Sequence, residues 1–233
     1  MEMIVEKDLK EVLTEGAKAL GVALPSRSTE AFDFFLVELM RWNRKMNLTA
    51  ITDPFEILVK HFLDSLALSP YLSAGSSLVD VGSGAGFPCI VLKISDPTLK
   101  VISIDSSRKK LSFQRHLIGQ LGLKGIDTVH AHLPDPRIAE RFDRTFDYAV
   151  SRAFGSLETL LRIAGPLIKG TGMVIAMKGK MGARKRTQDN AARQLNMTLQ
   201  RTVSFSLPFI DADRTLLFFA GRESPISGES RCP

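Results

Sequence analysis

The sequence predicts an α/β protein. A mostly parallel sheet is covered on both faces, ends in an antiparallel strand, and is preceded by a helical segment. Three observations carry this reading. From residue 77 onward, short apolar runs bounded by turn residues alternate with helix-length amphipathic stretches, the pattern of strand–helix–strand units. The first run, Ser77-Leu78-Val79-Asp80-Val81, leads straight into the glycine-rich loop Gly82-Ser83-Gly84-Ala85-Gly86. Before it, the first 70 residues show apolar residues at helical spacing.

The helical part reads in three pieces. Leu9, Leu13, Ala17 and Leu20 share a face, and Gly21 ends it. Phe32, Phe35, Leu36 and Leu39 form a second face, with Ser28 or Thr29 as its cap. Asp53-Pro54 starts a third helix as cap and first helical residue, with Ile57, Leu58, Phe62 and Leu66 following; Pro70 closes the segment. Strands are expected at 77–81, 101–105, 127–131, 146–150, 173–176, 203–207 and 216–220, and helices at 87–94, 107–121, 156–168 and 184–196. No helix separates the last two strands, so they should form an antiparallel hairpin. This divides the chain into a helical extension (1–70), an α/β domain (71–221) and a flexible tail (222–233).

Composition narrows the function classes. With 233 residues, 44% of them hydrophobic and 24% charged, the chain can bury a core and is not a disordered polymer. Two cysteines and four histidines supply neither a disulfide framework nor a four-cysteine zinc site, so no metal is expected. The N-terminus is acidic where a secretion signal would be basic, and no long uncharged apolar run occurs; a cytoplasmic protein without a membrane span is expected. Charge is uneven: residues 1–40 hold four basic and eight acidic side chains, residues 151–233 thirteen and six. Lys178, Lys180, Arg184, Lys185 and Arg186 fall within nine residues that contain no acid. Such a one-sided basic field favours a polyanionic partner, although basic clusters also merely solubilise a surface.

The loop after the first strand carries the chemistry. Its alternating glycines permit a tight turn and close approach of a ligand to backbone amides at the start of the next helix. Asp105, ending the second strand 23 residues after Gly82, can accept both hydroxyls of a ribose. The loop lacks the Gly-Lys-Ser/Thr ending of a phosphate loop, and its Gly-x-Gly-x-Gly spacing differs from the dinucleotide fingerprint. Asp80, just before it, favours a cationic ligand end over a pyrophosphate. S-Adenosylmethionine fits these constraints better than a dinucleotide.

Its sulfonium methyl is already activated, so positioning matters most. Transfer to guanine N7 needs no general base, whereas an amine or ribose hydroxyl would. Cys89 suits a small core position rather than a nucleophile. Arg152, in Val150-Ser151-Arg152-Ala153-Phe154, stands at a strand's C-terminal mouth, where it can hold an anion, a guanine edge or a ligand carboxylate. Trp42 suits packing better than base stacking, while Arg44 and Lys45 are candidate phosphate contacts. His61 and Ser65 share a helical face with Asp64 nearby, consistent with a polar patch against the glycine loop. Lys178 and Lys180 follow the fifth strand onto the same rim; Arg184, Lys185 and Arg186, which oppose the dipole of the helix they begin, suit phosphate contact. Arg108, Lys109 and Lys110 extend the positive rim beyond Asp105.

Taken together, Trp42-Asn43-Arg44-Lys45-Met46-Asn47-Leu48-Thr49-Ala50-Ile51, His61-Phe62-Leu63-Asp64-Ser65-Leu66, Asp80-Val81-Gly82-Ser83-Gly84-Ala85-Gly86-Phe87-Pro88, Ser151-Arg152-Ala153-Phe154 and Lys178-Gly179 resemble the RsmG (GidB) family of bacterial 16S ribosomal RNA methyltransferases. The resemblance spans about 40–220. It implies a Rossmann-like, seven-stranded S-adenosylmethionine-dependent methyltransferase fold with an N-terminal helical extension. It implies methylation at N7 of the guanosine at position 527, in the 530 loop, with S-adenosylhomocysteine as the second product. It further implies low-level streptomycin resistance on loss of activity. Carried onto this chain, Gly82 and Phe87 belong to the cofactor loop, Arg152 to the cofactor site, Asp105 to the ribose, and the Leu133-Pro134 backbone to the adenine.

The chain departs from the family in three places. Cys89 stands where glycine is usual after Gly-Phe-Pro. Ala131-His132-Leu133-Pro134-Asp135 lacks the usual glutamate, for which Asp135 is a shifted substitute. Met177 replaces an aromatic residue before Lys178-Gly179. The expected partner is 16S rRNA, within the 30S subunit or an assembly intermediate, bound by a monomer. Methylation of another RNA site or a small molecule, and a non-enzymatic RNA-binding assembly factor, are the alternatives left open by the residues themselves.

Overall fold

The computed structural model describes residues 8–25, 28–152, 155–180 and 192–221. Helix α1 (Leu9–Ala19) is capped by Asp8, whose carboxylate accepts from the Lys10 amide. Helix α2 (Ser28–Met46) follows. Ser28 is already its first helical turn, its hydroxyl donating to the Pro25 carbonyl, so the expected Ser28 or Thr29 cap is not formed that way. The third helix begins as expected: Asp53 accepts from the Glu56 amide and Pro54 opens α3 (Pro54–Ile57). Without a break the chain then widens into a π-helical turn (Leu58–Leu63) and returns to α4 (Asp64–Leu66).

The sheet contains β1 (Ser77–Val81), β2 (Lys100–Asp105), β3 (Ile126–His130), β4 (Phe146–Ser151), β5 (Ile168–Gly179), β6 (Met197–Ser206) and β7 (Asp213–Gly221). Their spatial order is β3-β2-β1-β4-β5-β7-β6. Strands β1 to β5 are parallel and β7 runs antiparallel to both neighbours, so the expected terminal hairpin is present. β5 and β6 are longer than expected because their added parts are open to solvent: in β5 the exposed Lys169-Gly170-Thr171 follow Ile168, and edge strand β6 is exposed or half-buried beyond Met197.

Between the strands lie α5 (Cys89–Ser95), α6 (Arg108–Gln120), α7 (Pro136–Arg141) and α8 (Leu157–Ala164). Helix α7 was not expected, yet Asp135-Pro136 starts it as Asp53-Pro54 starts α3. Asp135 accepts from the Arg137 amide and pairs with its guanidinium, so it caps this helix. Helix α8 stops at a 3-10 turn (Gly165–Leu167), where Pro166 cannot continue the ladder. Of the helix expected at 184–196, residues 192–194 are helical and 184–191 lie outside the described residues, as does the tail 222–233.

Two cores flank the sheet. One joins the helical extension, α5 and α6 to Leu78, Val150 and Ile175; the other lies beneath α7 and α8. Phe32, Phe35 and Phe62 are fully buried in the first and pack ring on ring. Each such side chain contributes about 1.5–3 kcal/mol by burial, so the extension is docked and not draped. Among the described residues no helix is long and apolar enough to cross a membrane.

Candidate functional site

The strand order reverses between β1 and β4, and ligands of open parallel sheets bind at that switch point, beyond the C-terminal strand ends. The glycine loop leaves β1 here. Gly84 has φ +60°, and a side chain at Gly86 (φ +96°) would come within 2.6 Å of Ile90, so neither accepts another residue without strain. Beyond Gly84 no atom lies within 4 Å of where a Cβ would stand, so its backbone is open to a ligand.

A buried ring of hydrogen bonds sets the loop from below. The Ser83 and Ser103 hydroxyls are 2.5 Å apart, Ser103 donates to Gln114 Oε1, and Gln114 Nε2 donates to Ser83 Oγ and to the Gly84 carbonyl. Sequence reasoning did not single out Gln114. Its signal is a polar residue on the inward face of α6, beside Leu111 and Leu117.

Asp105 lies at the end of β2 beside this loop. Its Oδ2 accepts from the Gly84 amide at 2.8 Å and its Oδ1 from the Ser107 amide at 2.7 Å. Each carboxylate oxygen retains a lone pair for a ribose hydroxyl. Asp80 is fully buried: Oδ2 accepts from the Cys89 amide, and Oδ1 has no partner. Burial raises its pKa to about 7. Cys89 is buried beside it, its thiol pushed well up by desolvation, an inert core cysteine as expected.

Opposite the loop, Arg152 emerges from β4 into a constellation supplied by the extension. Its Nη1 donates to the Lys60 carbonyl at 3.1 Å and lies 2.9 Å from His61 Nδ1. Asp64 is 3.7 Å from Arg152 and 3.1 Å from Arg214. His61 and Phe87 stack at 4.7 Å, and the Arg152 guanidinium sits 5.3 Å above the same ring. Phe87 also stacks on Phe35 at 5.1 Å, so its ring forms the joint between the extension and the glycine loop. The π-helical turn carries His61 and leads into Asp64, and such turns recur at functional sites. Ser65 instead bonds back to the His61 carbonyl and stays buried.

Ile51, Lys60, His61, Asp64, Arg152, Met177, Lys178, Gly179 and Arg214 enclose a cleft of about 320 Å³. Burial lowers the Lys178 pKa. Arg214 was also missed in the sequence: the expected strand began at 216, whereas β7 starts at 213 on the edge where the parallel strands end.

The remaining expected residues are dispersed. Arg44 and Lys45 are exposed on the last turn of α2, and Arg108 and Lys109 on the first turn of α6. Lys180 is exposed but ion-paired with Asp213 at 3.1 Å. Leu133 and Pro134 follow β3 on the ligand edge, yet the pocket they line lies against Ile138 and Ile163 and includes no glycine-loop residue. Trp42 packs on Phe113 and His116, the packing reading. Arg184, Lys185 and Arg186 lie outside the described residues.

A family model described as rRNA small subunit methyltransferase G matches residues 28–216. Proteins named ribosomal RNA small subunit methyltransferase G are similar along nearly the whole chain. One from Geobacter metallireducens is 41% identical over 91% of this chain and 96% of its own. One from Acetivibrio thermocellus is 39% identical over 91% and 89%. Among solved structures, a SAM-dependent methyltransferase from Aquifex aeolicus superposes with a TM-score of 0.56 at 18% identity, covering 74% of this chain and 96% of its own. M. jannaschii TYW2 in complex with AdoMet gives 0.55 at 14%, covering 68% and 74%. These two likenesses speak for the fold.

Proposed function

Since this chain belongs to the rRNA small subunit methyltransferase G family, we propose that it transfers the methyl group of S-adenosylmethionine to N7 of the guanosine at position 527 in 16S rRNA. The observation that carries this is the facing of two structures across the switch point: a glycine loop with Asp105 at its side, and a rigid Arg152 beside a cationic cleft.

The residues fit the cofactor. Asp105 has spare lone pairs for the ribose, the space outside Gly84 admits a ligand against the backbone, and the unpartnered Oδ1 of Asp80 offers a negative counterpart to a cationic end. Asp80, Gly82, Gly84, Gly86, Asp105 and Arg152 are the residues we assign to holding it, with Phe87 acting through its ring as support. Bound there, S-adenosylmethionine supplies a methyl group already activated by its sulfonium.

Guanine N7 offers a lone pair and has no proton to lose, so the chain must align the base and need not deprotonate it. Arg152 is suited to this because His61, the Lys60 carbonyl and Asp64 hold it in one posture. With Lys60 paired to Glu56, the cleft cations Arg152, Lys178 and Arg214 still outnumber the carboxylate of Asp64, which favours an RNA strand at its rim. We assign Arg44, Lys45, Arg108, Lys109 and Arg184–Arg186 to phosphate contacts around it. Leu133 and Pro134 keep the adenine as their assigned ligand on their position alone, after β3. We further assign the 30S subunit or an assembly intermediate as substrate, a monomer as the acting species and the cytoplasm as its location.

The test is transfer of labelled methyl from S-adenosylmethionine to 30S subunits from cells lacking this gene, with the product nucleoside mapped. Label recovered as 7-methylguanosine in the 530 loop is the expected result. Label elsewhere, or none despite cofactor binding, overturns the assignment of the acceptor.

A further inference from the structure

A second cleft, of about 480 Å³, lies on the other side of the loop that walls the first. It is lined by Met40, Asn43, Arg44, Asn47, Thr49, Ala50, Thr52 and Ile57. The partition is one stretch of chain. Ala50 and Thr52 line this second cleft, while Ile51 between them lines the acceptor cleft, the alternation of an extended backbone. Asn43 fixes the partition from α2: its amide donates to the Thr49 carbonyl and its oxygen accepts from the Thr49 amide. Thr49 in turn meets His61 Nε2 at 2.8 Å, and His61 meets Arg152.

We propose that this second cleft is a nucleotide subsite, taking a base and phosphate of the RNA strand adjacent to the target guanosine. The inference rests on the function proposed above. Four observations support it. First, the volume falls in the roughly 300–1,000 Å³ range of clefts that enclose small ligands. Second, the half-buried Met40 side chain gives it an apolar surface on which a base face can lie. Third, its rim carries hydrogen-bonding groups without a partner among the described residues: the Arg44 guanidinium, the Asn47 amide and the Thr52 hydroxyl. An asparagine amide offers both donors and an acceptor, the chemistry that reads a base edge, and an exposed guanidinium suits phosphate. Among the described residues no carboxylate lines the cleft to repel the strand. Fourth, the two clefts share one wall, so a strand crossing it can place neighbouring nucleotides on its two sides. Binding at the second cleft presses on Thr49, whose hydroxyl reaches Arg152 through the His61 ring.

The experiment compares the wild-type chain with R44A/N47G, both residues being exposed and outside the acceptor cleft, and glycine keeping the left-handed backbone of Asn47 at φ +50°. Methylation kinetics are measured on 30S subunits lacking the modification, with cofactor affinity and unfolding followed in parallel. The subsite predicts a KM for subunits raised about tenfold, a salt slope shallower by about one, and unchanged cofactor Kd. It also predicts ultraviolet cross-links from the nucleotide next to the target to peptide 40–52. An unchanged KM in the variant, with normal wild-type turnover, overturns the subsite and the phosphate contact assigned to Arg44, and leaves the proposed methyl transfer standing. So does a KM rise matched by an equal loss of cofactor affinity, the mark of a merely structural effect. Failure of the wild-type chain to methylate 16S rRNA overturns the function and the subsite with it.

Discussion

Nη1 of Arg152 lies 2.9 Å from Nδ1 of His61, and this contact joins the end of β4 to the helical extension. A guanidinium has only donors, so in this shorter contact Nδ1 accepts, and the Lys60 carbonyl 3.2 Å from Nδ1 then faces it without a hydrogen between them. The imidazole proton is therefore assigned to Nε2, which faces the Thr49 hydroxyl at 2.8 Å. Burial, and then the charge of Arg152, push the His61 pKa down to about 3, so the ring is neutral across the physiological range. It acts as an acceptor that orients an arginine and not as a proton carrier.

That neutrality has a cost at low pH. The unfolded chain takes up a proton on this histidine near its ordinary 6.5, while the folded chain does so only near 3. Stability from His61 is thus present above about pH 6.5 and lost as pH falls; at pH 5 the loss is about 2 kcal/mol. The difference in unfolding free energy between wild type and His61→Gln, measured in urea, should shrink by that amount between pH 7.5 and pH 5. A constant difference would show that the ring titrates normally.

Gln114 touches no expected ligand, yet it closes the ring that holds Ser83 and the Gly84 carbonyl. Gln114→Leu keeps the bulk and strands Ser83, Ser103 and Gly84 without that partner. An unsatisfied buried polar group costs about 1–3 kcal/mol. The variant should show a KM for S-adenosylmethionine raised about tenfold, corresponding to about 1.4 kcal/mol, with kcat little changed. Should kcat fall and KM stay fixed, the ring would bear on the chemical step and not on the loop.

Phe35 stacks on Phe87 at 5.1 Å and packs on Phe62 at 5.0 Å, so one ring of α2 supports both the glycine loop and the His61 helix. Phe35→Ala should destabilise the protein by about 3–5 kcal/mol, the usual cost of emptying an aromatic core site. It should weaken cofactor binding at temperatures where the variant is still folded. Isothermal titration below its melting transition separates the two: unimpaired binding there would mean the extension and the loop are energetically independent.

The alternating strand and helix pattern made the sheet legible because buried parallel strands are nearly continuous apolar runs, as in Leu78-Val79 and Ile175-Ala176. Asp105 and the glycine loop were legible because their chemistry is local: a strand end, a turn and a carboxylate. The rest of the site depends on contacts between distant segments. Arg214 meets Asp64 across 150 positions of sequence, and Arg152 meets His61 across 91. No local period encodes such pairs. Helix α7 escaped for a different reason: six residues are too few for an amphipathic period to show, and only the Asp-Pro start marks it. Leu133 and Pro134 show the converse, since position after β3 did not fix the direction in which their side chains pack.

The assignment of Asp80 to the cofactor predicts that binding depends on pH. Its carboxyl is fully buried and held near a pKa of about 7 by desolvation, with Oδ1 unpartnered. A cationic ligand end nearby favours the ionised form, so binding and deprotonation should be coupled. If the ionised form alone binds well, cofactor affinity should tighten roughly tenfold between pH 6 and pH 7.5. Asp80→Asn should bind more weakly and with little pH dependence over that interval. The sign for folding is the reverse of that for His61. A raised carboxyl pKa contributes stability below its ordinary 3.8, and this is lost as pH rises through about 7. The Asn variant should therefore gain on the wild type in unfolding free energy between pH 4 and pH 8, by up to about 4 kcal/mol. Calorimetric titration and urea unfolding across that range check both slopes, and a cofactor Kd equally flat in wild type and variant would show that Asp80 is not coupled to the ligand.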